Sequence, residues 1–449
     1  MLARTKLTGL AGLTLVLQSC ALEARDLDAF RYTARGPEKL HAVLRDASRP
    51  TELRAEAALR LLDLERSDVD GRALLFASLK ELEPAARTAL APTLERGLTV
   101  RMQTPAGQPP SHTAVRAKDS GVRLLPLLEG AQRAALGGAL VRWVGGDLER
   151  RADVGEFSLE AITARVGTAS AMPSADGLRP DLPPKSFARL ADTVAKYADP
   201  STRSVAAAKI VEVERAYRNA PKYEQALTEF ALPALGRFVD TVGARGRLVA
   251  IAADPSIETS QRMLALELVH GHVGVEDVVA LGKVALDESA PLPLRLRALE
   301  RVGETQAREA LPCLLSLAAS RQREVRQPAV LLAIEIGGER GISDVLNALP
   351  QHWNVNYAKS EIDAYALQTQ KLPPTNTLVT TLGRKLYAYN WWPRVIGIRY
   401  LAARATVVEA TWRLKLHVEE PKEIVGEEWP GGWTVGREAL LGLRAVTSR

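Results

Sequence analysis

Between Pro255 and Pro350 the chain repeats itself, and no other feature limits its fold so sharply. Met263-Leu-Ala-Leu-Glu-Leu-Val269 aligns with Leu296-Arg-Ala-Leu-Glu-Arg-Val302 and with Leu331-Leu-Ala-Ile-Glu-Ile-Gly337. The alanine column, Ala265, Ala298 and Ala333, gives offsets of 33 and 35 residues. The next columns hold Leu266, Leu299 and Ile334, then Glu267, Glu300 and Glu335. A second apolar segment follows at the same offsets, with Val278, Leu311, Leu346 and then Leu281, Leu314, Leu349. Such a period predicts pairs of short amphipathic helices stacked on one another, because one pair cannot bury its apolar face alone.

Two short helices per unit with an Ala-Leu core in the first make the segment resemble the HEAT family of α-solenoids. The resemblance implies an all-α fold, an α-α superhelix of stacked helix pairs. Leu53–Leu62 reads as another first helix with Ala73–Leu82 as its partner, and Ala139–Gly145, Val205–Val211 and Val395–Leu401 fit more loosely. Pro393 is expected to open the last of these, where a missing N–H costs nothing. Breaks are expected at Thr104–Pro110, from Met172 to Pro184, and from Gln351 to Pro374, where turn formers crowd together. The expected organisation is 1–19 a signal peptide, 20–103 and 112–171 helical repeats, 185–350 HEAT-like repeats, and 351–449 an irregular capping unit or small module. Within that last part, 421–436 should form a loop or hairpin. Thr434 should cap a final helix ending near Leu443, with Arg437 and Glu438 on its outer side.

The chain opens with Arg4 and Lys6, an apolar run from Leu7 to Leu17, and then Gln18-Ser19-Cys20. Eleven residues are too few to span a bilayer as a helix, which needs roughly 20, and the pattern fits a cleaved secretory signal. A small residue followed by cysteine resembles the lipobox of bacterial lipoproteins, although Gln18 stands where that family usually has Ala or Ser. The resemblance implies cleavage before Cys20, a diacylglycerol on its thiol and an acylated amino terminus, a firm membrane anchor. Ala21 follows where an Asp would resemble a plasma-membrane retention signal. The expected address is therefore the periplasmic face of the outer membrane, or the outer face of the plasma membrane where no outer membrane exists.

Hydrophobic residues make up 46% and charged residues 25%, which places the chain among globular proteins rather than disordered ones. The formal charge of +6 is spread among interleaved acids and bases with no run of five like charges. That is a solvated surface and not a nucleic-acid footprint, so no nucleic-acid partner is expected. Of two cysteines, Cys20 would carry lipid, leaving Cys313 without a disulfide partner.

The candidate chemistry is sparse. His270-Gly-His272 has a chelating spacing, with Glu276 and Asp277 nearby, but the repeat places both histidines in a turn that is free to vary. Cys313 aligns with Ala280 and Ala348, a column of small side chains, so it reads as core. Glu419-Glu420 and Glu427-Glu428 flank prolines and read as solvated turns. No nucleophile elbow, His-Glu-x-x-His motif or phosphate loop occurs, so no catalytic, cofactor or metal residue is assigned and no cofactor is expected.

Six of seven tryptophans fall in the last 97 residues. Trp391, Trp392, Trp429 and Trp433 are candidates for an interaction surface, a stacking platform for sugars, peptides or a partner's side chains. The alternative is a cap whose rings seal the end of the array. As helix neighbours, Trp391 and Trp392 should divide between core and surface. The function expected is a membrane-anchored envelope lipoprotein acting as a HEAT-like interaction scaffold for other envelope proteins. The rival is a ligand-binding or enzymatic module in the Trp-rich region carried on a helical stalk.

Overall fold

A computed structural model describes residues 22–65, 68–105 and 107–449. Among these the fold is all-α with no strand; Glu423 and Thr434 form an isolated antiparallel bridge. No described helix is long and apolar enough to cross a membrane. The chain divides into two compact units, one of residues 1–177 with 196–202, the other of 178–195 with 203–449. The C-terminal Trp-rich segment belongs to the second unit.

The first unit contains α1 (Gly36–Arg45), α2 (Thr51–Leu62), α3 (Gly71–Glu81), α4 (Pro84–Met102), α5 (His112–Leu124) and α6 (Gly130–Gly145); α2 packs against α1, α3 and α4, and α4 against α5 and α6. The helices expected at Leu53–Leu62 and Ala73–Leu82 are α2 and α3. Lys118 is fully buried in α5. Its ammonium donates to Val154 O at 2.5 Å and Phe157 O at 2.8 Å and pairs with Asp119 at 2.6 Å. A buried cation is tolerated only with its donors filled, and this one fastens the 153–157 loop to the core.

The second unit contains the clear repeats. Its helices are α7 (Val242–Ala253), α8 (Thr259–Leu268), α9 (Val278–Leu286), α10 (Leu292–Glu304), α11 (Leu311–Ala318), α12 (Arg323–Ala348), α13 (Lys359–Gln370), α14 (Asn376–Lys385), α15 (Trp391–Arg404), α16 (Val407–Lys415) and α17 (Val435–Thr447). α12 is two helices, 323–337 and 339–348, joined at Gly338 with φ 55° and ψ −148°. Successive helices pack as α7 on α8, α9 on α10 and α11 on α12, and alternate ones as α7 on α9, α8 on α10 and α9 on α11, giving two layers of stacked pairs, the HEAT-like solenoid arrangement. Ala265, Ala298 and Ala333 are fully buried, as are Leu266 and Ile334, while Glu267, Glu300 and Glu335 face solvent. The repeating columns are thus the seam between the layers.

A second repeated device joins one pair to the next. Asp46, Asp254 and Asp287 each accept the amide and hydroxyl of the serine two residues on, at 2.5 to 3.0 Å. The serine hydroxyl, followed by its amide, holds each carboxyl below the usual aspartate range. Eight residues after each aspartate comes a buried arginine, Arg54, Arg262 or Arg295. Their Nε atoms donate to Leu44 O, Ala252 O and Ala285 O at 2.9 to 3.0 Å. Those carbonyls belong to the last turns of the preceding helices, which lack partners within their helix and carry partial negative charge. Each arginine therefore satisfies the end of one pair while starting the next.

Several expected boundaries move. The Gln351–Pro374 break contains the whole of α13, whose buried face includes Glu361 and Thr369. Those polar residues hid the helical pattern. The break expected from Met172 begins later, since Ala171–Asp176 is helical. α15 opens at Trp391, two residues before Pro393. Thr434 does cap α17, accepting from Arg437 N at 3.2 Å, but the helix runs to Thr447. Glu438 is not on its outer side. It is buried, accepting from Arg399 Nε at 3.1 Å and Trp433 Nε1 at 2.9 Å.

Candidate functional site

The four tryptophans singled out from sequence do not form an open surface. Trp391 is 1% exposed and Trp392 2%, so the pair does not divide between core and surface. Both rings pack around Tyr357, with centroids at 6.2 and 5.9 Å. Trp429 meets Trp391 edge to face at 5.5 Å and lies under the Arg399 guanidinium at 5.7 Å. Trp429 and Trp433 are each half-buried. Adjacent helix positions do point apart, but α15 is covered in both directions, by the 351–358 loop and by the 421–436 loop.

The exposed aromatics are others. Trp353 is 60% exposed and Tyr389 71%. Trp353 lies in the loop after α12, Tyr389 in the loop after α14. Their rings meet edge to face at 5.6 Å with planes 73° apart. His352 packs against Trp353 at 4.9 Å and Tyr389 at 6.0 Å, and the Lys422 ammonium stands 5.0 Å from the Tyr389 ring centre.

Asn390 fixes this corner. It occupies the N-cap of α15, yet its side chain does not cap that helix. Its Oδ1 instead accepts from His352 N at 3.3 Å and His352 Nδ1 at 2.7 Å, and its Nδ2 donates to Gln351 Oε1. Because an amide oxygen only accepts, Nδ1 carries a proton, which leaves Nε2 outside this contact. Asn390 is buried. A polar residue of the core thus ties two exposed loops together.

In the loop after α14, Tyr387 packs edge-on at 4.8 Å against His417, which follows α16. Burial, and then the Arg394 charge, push the His417 imidazole below its ordinary pKa.

The remaining sequence candidates are in ordinary surroundings. His270 and His272 lie in the turn after α8, with His270 Nδ1 2.6 Å from Glu304 Oε1. Glu276 and Asp277, the acids that would complete a metal set, are both engaged by Arg245. Cys313 is half-buried against Gly282, and burial pushes its thiol up to about 11, far from a reactive thiolate. Glu420 pairs with Arg394 at 3.0 Å, and Glu428 accepts from Ser360 N at 2.8 Å. Cys20 lies outside the described residues.

No protein-family model matches the sequence, and no curated protein does. Among solved structures, the chain is similar to Kap121p at 12% identity over 91% of this chain and 45% of that one, with a TM-score of 0.32. It spans less than half of Kap121p's length. It is similar to a chain of the Pds5–Scc1 complex at 12% identity, covering 94% of this chain and 64% of that one, with a TM-score of 0.29. Human deoxyhypusine hydroxylase aligns at 13% identity over 95% and 100%, with a TM-score of 0.20. Likenesses this distant carry no inference about what the chain binds.

Proposed function

We propose that this chain is an envelope lipoprotein whose stacked helix pairs serve as a protein–protein interaction scaffold, tethered by acyl chains on Cys20. The carrying observation lies in the second unit. Val242 on α7, Val279 on α9, and Val408 and Trp412 on α16 are exposed there. Exposed apolar side chains presented by separate helices of one unit suit docking of another protein. Repeat arrays use their stacked faces in this way because each pair contacts only its neighbours and leaves the outer face free. The Leu7–Leu17 run and Ser19-Cys20 support the tether, and Ala21 supports the periplasmic face of the outer membrane as its address.

Two measurements test this reading. Cys20→Ser should move the protein from membranes into the soluble fraction, and unchanged membrane retention would remove the tether. Val279→Asp with Val408→Asp should abolish capture of proteins that co-purify with the wild type from detergent-solubilised membranes. Capture unaffected by the charges would remove these helices as the docking face.

A further inference from the structure

We propose that the Trp353–Tyr389 corner is a binding site for a pyranose ring of a glycan chain. The inference is independent of the scaffold reading and of the tether. It rests on three features found together at this one place.

The first is aromatic geometry. A pyranose carries C–H groups on one face, and these are attracted to the negative face of an aromatic ring. Trp353 and Tyr389 are both exposed, and their rings meet at 73° to form a corner against which such a face can stack. The second is rigidity. The Asn390 bridge to His352 and Gln351 holds the loops in register before any ligand arrives, so little ordering cost falls on binding. The third is the polar rim. His352 Nε2, outside the Asn390 contact, is placed to meet a hydroxyl, the Lys422 ammonium is a donor, and the Gln351 amide nitrogen makes no hydrogen bond among the described residues. Hydroxyls around a sugar ring need this mixture of donors and acceptors beside the stacked face.

Other ligands fit less well. Stacked nucleobases need a positively charged track for phosphates, and here Lys422 stands beside Glu423. A proline-rich strand lies along a groove between aromatic ridges, which two rings meeting at a corner do not form. Insertion into a bilayer calls for aliphatic neighbours, whereas Gln351, His352 and Asn390 surround these rings.

The test is calorimetric titration of the full chain with chitotetraose, maltotetraose and decaproline. At least one tetrasaccharide should bind saturably, with Kd below about 10 mM. Trp353→Ala and Tyr389→Ala should each weaken it by about tenfold or more, while Tyr32→Ala, exposed in the first unit, should leave it unchanged. Unaltered far-UV circular dichroism in all three variants keeps loss of fold from imitating loss of the site. Absence of binding by both sugars overturns the proposal. So does sugar binding indifferent to Trp353 and Tyr389, or a corner-dependent response to decaproline alone.

Discussion

Arg326 and Glu361 form a two-pronged ion pair inside the second unit, Nε to Oε1 at 2.7 Å and Nη2 to Oε2 at 2.9 Å, with both side chains essentially out of solvent. Tyr365 adds its hydroxyl to Oε1 at 2.6 Å, and Arg326 gives its remaining donors to Ser320 O and Arg321 O. Arg326 follows Arg295 in the repeat and uses the same device with a new acceptor. Like Arg262 and Arg295 it is the fourth residue of its helix, but its Nε meets a carboxylate from the next pair instead of a backbone carbonyl.

Removing one partner should be far worse than removing both. Glu361→Ala leaves a buried guanidinium uncompensated and should cost about 3–5 kcal/mol. Arg326→Met combined with Glu361→Leu should cost much less than the sum of the single changes. Urea unfolding of the four-membered cycle measures this; additive losses would show that the two groups act separately.

The arginine rungs at the other pairs are neutral-acceptor versions of this contact. Arg295→Met should destabilise by about 1–3 kcal/mol, because the buried Ala285 carbonyl loses its partner. Arg297→Met, on the exposed side of the same helix, should stay within about 0.5 kcal/mol. Equal effects in thermal unfolding would count against the rung.

The aspartate–serine turns predict a pH dependence with a definite sign. Carboxyls held below their ordinary pKa contribute stability above the unfolded value of about 3.9 and lose it as the pH falls through the lowered folded values. Ser256→Ala with Ser289→Ala should therefore lower Tm at pH 6, and the gap to wild type should narrow below about pH 3.9. A gap independent of pH would mean that the serines act only through packing.

The corrected placement of the tryptophans predicts opposite mutational outcomes. Trp391→Ala opens a cavity in the core and should cost about 3–5 kcal/mol. Trp353→Ala should change stability by less than about 0.5 kcal/mol. Chemical denaturation of both variants decides whether exposure or residue type governs.

Gly338 joins the two halves of α12 with a backbone that essentially only glycine adopts. A methyl group there would meet nothing within 4 Å, so any loss in Gly338→Ala is conformational. About 1–3 kcal/mol is expected. Unchanged urea unfolding would show that the turn has another accessible geometry.

The repeat was legible because Ala265, Ala298 and Ala333 each mark the same buried seam, and burial leaves a periodic trace in residue type. The aspartate–serine–arginine spacing is also present in the sequence, at 46, 254 and 287, but each residue alone reads as a turn former or a surface charge. Only the identical eight-residue interval distinguishes it. α13 was lost for the converse reason, since Glu361 sits in the core through its pairing with Arg326, a partner 35 residues away. The aromatic corner could not have been foreseen. Trp353 and Tyr389 belong to different loops, and which faces of a ring are covered depends on stacking that residue identity does not encode.

Each rung reaches only as far as the pair before it, Arg262 to Ala252 and Arg295 to Ala285. Excising one 33-residue unit, or copying it, would rejoin equivalent turns and leave every remaining junction chemically intact. The molecule is consequently extensible, and a gene lengthening it by duplication would meet no topological obstacle between Asp254 and Asp287.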